Sequence, residues 1–254
     1  MPMGPTPMMM STHAIEIDHL NAAYRGVQAL LDVSLRIQPG RLTGVVGPNG
    51  AGKSTLMKAM LGLVPIAAGR VVYGDRPLQQ QLDRVAYVAQ RSQVDLDYPA
   101  TVWDVVLMGR TRKTGWLRPF SNTSRQAARA ALERVGLWEL RDRPIAQLSG
   151  GQQQRVFLAR SIAQEADVFC FDEPFVGVDR RNEAILFDLF RELAQDGKVV
   201  MVVNHDLGES ITHFDDLVLL NRQLVAAGDR AAVLNDLNLQ RAYGSRVKFF
   251  QEAA

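Results

Sequence analysis

The chain has 254 residues, a formal net charge of +2, 47% hydrophobic and 22% charged residues, and a single cysteine. That length accommodates one large domain or two small ones with a substantial core, and the near-neutral charge offers no electrostatic footprint for nucleic acid. Cys170 alone excludes an internal disulfide, a zinc finger or a redox pair, which suits a reducing compartment, and no run approaches the ~18 apolar residues of a spanning helix, so any membrane role is expected to be peripheral.

In chain order, MPMGPTPMMM is neither basic nor followed by an apolar signal core, and residues 1–13 are expected to form a disordered tail. From His13 to Val46 the pattern is strand-like: AIEIDHL alternates, and QPG marks a turn before RLTGVVG. KSTLMKAMLGLV then places Leu56, Met57, Met60, Leu61 and Val64 at helical spacing, with Pro65 as the expected stop. GRVVYGD and DRVAYVAQ read as further strands. Between Gln90 and Gln147, TVWDVVLMGR and SRQAARAALERVGL read as helices around a basic, glycine-bearing loop, GRTRKTGWLRPF. This predicts a mostly helical subdomain inserted in an α/β body. The α/β pattern then returns with the helix after LSGG, the buried strand DVFCFDE, the helix RNEAILFDLFRELAQ, the strand KVVMVVNHD and an antiparallel pair in DLVLLNRQLVAAGD. Strands alternating with helices predict a mainly parallel sheet covered on both faces.

GPNGAGKS fits the GxxxxGK[ST] pattern, with a strand before it and a helix after it. The loop Gly47, Pro48, Asn49, Gly50, Ala51 and Gly52 would surround phosphates with backbone N–H groups. Lys53 would reach the β and γ phosphates, Ser54 would hold Mg²⁺, and Thr55 would add a hydroxyl towards the α-phosphate. Mg²⁺ needs a carboxylate nearby, and VFCFDE supplies two at a strand end. Asp172 would hold the metal through its water shell, and Glu173 would orient and polarise an attacking water. Two adjacent acids could also form a solvated turn. LSGGQ resembles a second anion site: Ser149 is a good N-cap, Gly150 and Gly151 permit close approach, and a helix follows from Gln152. A merely capped helix is the other reading these residues leave open. No NKxD-like guanine motif is present, which disfavours a GTPase.

The order of these segments is distinctive. GPNGAGKST, Gln90 closing YVAQ, LSGGQQQR, VFCFDEP, GVD and His205 in NHD together resemble the motifs of ATP-binding cassette (ABC) ATPases, over nearly everything after residue 13. The resemblance implies an α/β P-loop NTPase core, 14–90 and 155–246, with a small antiparallel β subdomain. It also implies an inserted helical subdomain with the signature motif over 91–154, and a tail over 247–254. ATP and Mg²⁺ would be the cofactors. Two copies would face each other head to tail, the LSGGQ loop of one covering the ATP held by the other, which accounts for two phosphate-approaching loops in one chain. By the same resemblance Tyr24 stacks on adenine, Gln90 contacts Mg²⁺ and the attacking water, Asp179 communicates across the homodimer, and His205 contacts the γ-phosphate. The departures, Ala89 where proline is common and Asn204 where threonine or serine often stands, leave these roles intact.

Within that family, AQRSQVDLDYPATVWDVVLMGRTRKTGWL and FDEPFVGVD most resemble ATPases of metal-ion importers that work with an extracytoplasmic metal-binding protein. Manganese is the expected ion, then zinc or iron. Such a subunit would sit peripherally on the cytoplasmic face of the inner membrane, with integral membrane permease subunits as partners and no nucleic acid. The helical subdomain would receive the permease's coupling helix, with Gln90 as the hinge. Arg110, Arg112, Lys113 and Arg118 are expected as a solvated loop, with anionic headgroups as the other reading. His205, Glu209 and His213 fall four apart, but the role of His205 at ATP argues against a metal site there. A soluble iron–sulfur scaffold ATPase is the alternative class.

Overall fold

The computed structural model describes residues 13–24, 26–90, 99–115 and 118–244; the Tyr24 side chain, the methionine-rich opening and the 247–254 tail lie outside the described residues. The chain runs β1 (Ile15–Tyr24), β2 (Val27–Ile37), β3 (Leu42–Val46), α1 (Lys53–Met60), β4 (Ile66–Tyr73), β5 (Arg76–Pro77), β6 (Val85–Val88), α2 (Val102–Met108), α3 (Thr111–Thr114) and α4 (Asn122–Arg134). It continues through α5 (Gly150–Ala163), β7 (Val168–Asp172), α6 (Arg180–Gln195), β8 (Val199–Val203), β9 (Asp216–Asn221), β10 (Gln223–Asp229), α7 (Arg230–Val233) and α8 (Asp236–Tyr243). The larger sheet has the order β10-β9-β3-β8-β7-β6 and is parallel except for β10 at its edge. The smaller, β2-β1-β4-β5, is antiparallel throughout.

Every residue of β3, β7 and β8 is buried. Because side chains alternate across a strand, neighbours enter opposite cores. Phe169, Phe171, Val200 and Val202 pack in the cluster that contains α5 and α6, while Val168, Cys170, Val199 and Met201 pack with α1 and the smaller sheet. Each large apolar side chain buried this way contributes roughly 1.5–3 kcal/mol, so the sheet is held between two cores rather than resting on one.

Two local expectations change. The first helix stops at Met60: Leu61 caps it and Gly62 turns with φ +73°, ahead of Pro65, although Leu61 and Val64 are still buried. The basic stretch contains α3, and Arg110 is not solvated. It is 4% exposed, donates to the Ala163 carbonyl at 2.8 Å and pairs with Glu165 at 2.8 Å. Its cation therefore anchors the start of α3 to the end of α5, leaving Arg112, Lys113 and Arg118 on the surface. The helix expected after LSGG is α5, which packs against both α2 and α4.

At the opposite edge from the strand exits, Asp167 ties three strand starts together. Its carboxylate accepts from Lys198 Nζ at 2.9 Å, just before β8, and from Arg84 Nε at 2.7 Å, just before β6. Burial pushes the Asp167 carboxyl up, but Lys198 and Arg84 outweigh it and hold the group below its ordinary value. Asp167→Asn strands Lys198, 6% exposed, without its counter-charge. The expected cost is about 3 kcal/mol of unfolding free energy at pH 7 by urea titration. A depressed folded pKa stabilises above the unfolded value of ~3.9 and that stabilisation is lost as pH falls through the folded value, so the wild-type advantage should vanish in acid.

Candidate functional site

The strand register sets the site. Val45 and Asp172 both pair with Val203, and Val88 pairs with Phe171, so β3, β8, β7 and β6 release their chains side by side. The segments leaving those ends are the Gly47 loop, Asn204–His205, Asp172–Glu173 and Ala89–Gln90. This is the carboxyl edge of a parallel sheet, where open α/β folds bind ligands.

The phosphate loop is shaped by its glycines. Gly47 has φ +151°, and a Cβ there would lie 2.0 Å from the Leu220 carbonyl oxygen; a Cβ on Gly52, at φ +94°, would lie 2.6 Å from the Ala29 oxygen. Ala51 closes a turn onto the Pro48 carbonyl at 3.1 Å, and its own carbonyl accepts from Arg222 N–H at 2.8 Å. Gly52 enters α1 in the left-handed region and no side chain caps that helix, leaving its first-turn amides to an outside acceptor. Asn49 and Gly50 are exposed at the tip, and Thr55 is half-buried in the first turn. Lys53 is 7% exposed and curls back, donating to the carbonyls of Gly47 at 2.8 Å and Pro48 at 3.0 Å. Burial pushes its ammonium below the ordinary lysine value, against the pull of Glu173 and Asp172.

Opposite the loop stand the two acids. Asp172 is 2% exposed, its Oδ1 accepts from Ser54 Oγ at 2.8 Å and its Oδ2 from the Tyr87 hydroxyl at 3.3 Å. Burial, with Asp172 beside it, raises the Tyr87 hydroxyl well above its usual ionisation, so it remains a donor. Glu173 has φ +50°, uncommon for a side chain with a Cβ, and its Oε2 accepts from Gln90 Nε2 at 2.8 Å. Tyr87 within β6 and Gln90 just past it thus hold the two adjacent acids at the end of β7. Tyr87 is absent from the sequence reading because a tyrosine in a strand is ordinarily a core aromatic. Only its pairing opposite Cys170 brings it to Asp172.

His205 leaves β8 exposed to solvent because Asn204 beside it is anchored. The Asn204 N–H donates to the Val45 carbonyl at 3.0 Å, and its side-chain amide donates to Asp206 O and Ser210 Oγ, each at 3.1 Å. His213, by contrast, stacks on Phe187 at 4.2 Å and contacts Arg191 through Nδ1, and Glu209–His213 forms a 3₁₀ turn rather than an α-helical face.

The remaining predicted residues form a second group. Ser149 caps α5 in a reciprocal box: Gln152 N–H donates to Ser149 Oγ at 3.3 Å, and Ser149 N–H to Gln152 Oε1 at 3.0 Å. Gly150 and Gly151 form the first turn, and Asp179 caps α6. Among the described residues no hydrogen bond or ion pair joins this group to the phosphate loop or the two acids.

A family model described as ABC transporter matches residues 30–176. The chain is 46% identical over 237 residues to the zinc transport system ATP-binding protein TroB of Treponema pallidum (strain Nichols), covering 93% of this chain and 89% of that protein. It is 44% identical over 238 residues to the manganese transport system ATP-binding protein MntB of Bacillus subtilis (strain 168), covering 94% and 95%. The chain belongs to the ABC transporter family. Its fold is that of the ATP-binding cassette MJ1267 in its ADP conformation, with a TM-score of 0.80 over 91% of this chain and 98% of that one; at 24% identity this is a likeness of fold alone.

As an ABC ATPase the chain must cradle a triphosphate, and the donor set fits one: uncapped helix amides, a buried ammonium held only by neutral carbonyls, and glycines where a Cβ would strike backbone. Gly47→Ala must displace the loop, since a carbonyl oxygen occupies the space and φ is unfavourable. The expected result is at least a tenfold loss of ATP affinity, about 1.4 kcal/mol or more, in equilibrium titration with a fluorescent ATP analogue.

Proposed function

We propose that this ABC ATPase energises the import of a transition-metal ion, manganese first and zinc next, through separate membrane permease subunits. The observation that carries the reading is 44–46% identity, over more than nine-tenths of the chain, to proteins named for manganese and zinc transport. No helix among the described residues is long and apolar enough to cross a membrane, and the permease subunits would supply the pore. A groove of about 560 Å³ between α2 and α4, lined by Trp103, Leu107, Met108, Phe120 and Arg125, supports docking of a permease helix there. The ATPase would sit peripherally on the cytoplasmic face of the membrane, with an extracytoplasmic metal-binding protein delivering the ion.

The chemistry follows from the charges on the strand exits. Lys53 exchanges two neutral carbonyls for anionic phosphate oxygens, a stronger interaction in a buried setting. Ser54 and Asp172, with Gln90 at the edge, would hold Mg²⁺, which when bound would neutralise charge developing on the phosphates. Tyr87 keeps the second Asp172 oxygen oriented. Glu173, steadied by Gln90, orients the attacking water and accepts its proton, and His205 reaches the γ-phosphate from the β8 exit.

The second group, Ser149, Gly150, Gly151, Gln152 and Asp179, serves the ATP of the other copy in a head-to-tail homodimer. Its lack of bonding to the phosphate loop supports two half-sites per chain rather than one complete site. Driving such a dimer from 1:99 open to 99:1 closed takes about 5.5 kcal/mol of differential binding, roughly half from each ATP.

Glu173→Gln is expected to bind ATP, hydrolyse it ~10²–10⁴-fold more slowly and accumulate as an ATP-bound dimer by size exclusion; near-normal turnover would remove Glu173 from its role. For the transported ion, cells lacking the gene should lose Mn²⁺ uptake, which the intact chain restores and Lys53→Ala does not. Loss of Zn²⁺ uptake alone would move the ion to zinc, and no change in either would refute metal import.

A further inference from the structure

Gly151 has no unusual backbone angle to explain why it is glycine. Its constraint is a neighbour: a Cβ there would lie 2.6 Å from both Cβ and Cγ of Asn182 and 2.9 Å from Asn182 Nδ2. Asn182 stands in the first turn of α6, so the opening turns of α5 and α6 meet through this one side chain. The same residue takes both oxygens of Asp179: its backbone N–H donates to Oδ1 at 2.9 Å and its side-chain Nδ2 to Oδ2 at 2.6 Å. One face of Asn182 is therefore pressed against the signature turn while its donors clamp the carboxylate of the GVD segment. A shift of Asp179 would carry Asn182 with it, and Asn182 fills the space that a side chain at position 151 would need, so the shift would bear on the signature turn.

We infer that Asn182 is a positioning residue that locks the signature turn and Asp179 into one surface, presented as a unit to the ATP of a second copy of this chain. The inference rests on the head-to-tail reading of that second group. An ordinary capping role for Asp179 needs only the backbone bond to Oδ1, and any residue at position 182 except proline could supply it. The side-chain bond and the glycine facing it exceed that requirement. Nucleotide binding by the monomer involves neither, so Asn182 should matter only when two copies close.

The test uses the full chain carrying Glu173→Gln, which holds the ATP-bound dimer, with Asn182→Ala, Asn182→Asp or Ser149→Arg added. Asn182→Asp keeps the shape against Gly151 and suits a helix first turn, but replaces the donor to Asp179 with a repelling oxygen. Both Asn182 variants should raise the ATP concentration for half-maximal dimerisation by about tenfold or more, read by light scattering. The affinity of the monomer for a fluorescent ATP analogue should stay within about twofold and the melting temperature should hold in Asn182→Asp. Unchanged dimerisation in both, while Ser149→Arg abolishes it, would overturn the inference and leave the head-to-tail reading standing. Dimerisation that survives Ser149→Arg as well would overturn both. A loss matched in both Asn182 variants by equal losses of melting temperature and monomer ATP affinity would reduce Asn182 to a structural residue and also overturn the inference.

Discussion

Complete burial of the central parallel strands governs where this protein can do chemistry. With every position of β3, β7 and β8 buried, a charged side chain in these strands needs a buried partner, as Asp172 finds in Ser54 and Tyr87. Polar function is concentrated at the strand ends, in Asp172 as the last residue of β7, and in the residues just past them. Four exits in register then gather the phosphate loop, the paired acids, Gln90 and His205 on one edge. The opposite edge carries the compensating structure, where Asp167, Arg84 and Lys198 hold the starts of the strands whose far ends do the chemistry.

The electrostatics at the working edge are those of a site built around an anion. Lys53 is buried and contacts only carbonyl oxygens, while the nearest acids are occupied: Asp172 by Ser54 and Tyr87, Glu173 by Gln90. The lysine is thus held close to two carboxylates without a direct ion pair to either. A direct pair would be stable by itself and would have to be broken on binding; neutral carbonyls are weaker competitors for an ammonium than a phosphate is.

The second group has a different logic. Ser149 and Gln152 satisfy each other, Asp179 is satisfied by Asn182, and Gly151 is pressed against that same asparagine. Its local geometry is completed within two helix N-termini, and those two helices pack on each other and on the larger core. That self-sufficiency fits a preassembled surface that meets its ligand from outside, whereas the phosphate loop is a cavity wall that meets its ligand from within.

The phosphate loop, the two acids, the signature cap and the helix–strand order were all legible in the amino-acid sequence, because each is local: a glycine turn, a run of apolar residues ending in acids, a Ser-x-x-Gln box. Local patterns also misled where tertiary packing had the final word. Pro65 advertised a helix stop that Gly62 had already made, and Arg110 read as solvated beside three basic neighbours until α5 supplied a carbonyl and a carboxylate. Tyr87 and Asn182 carried no signal at all, since their partners lie across a parallel strand pair and between two helices. What the sequence determined by itself was the kind of ligand, through motifs whose chemistry lies within a few residues. Only the tertiary structure decided which side chains orient those motifs, because orientation depends on contacts between segments far apart along the chain.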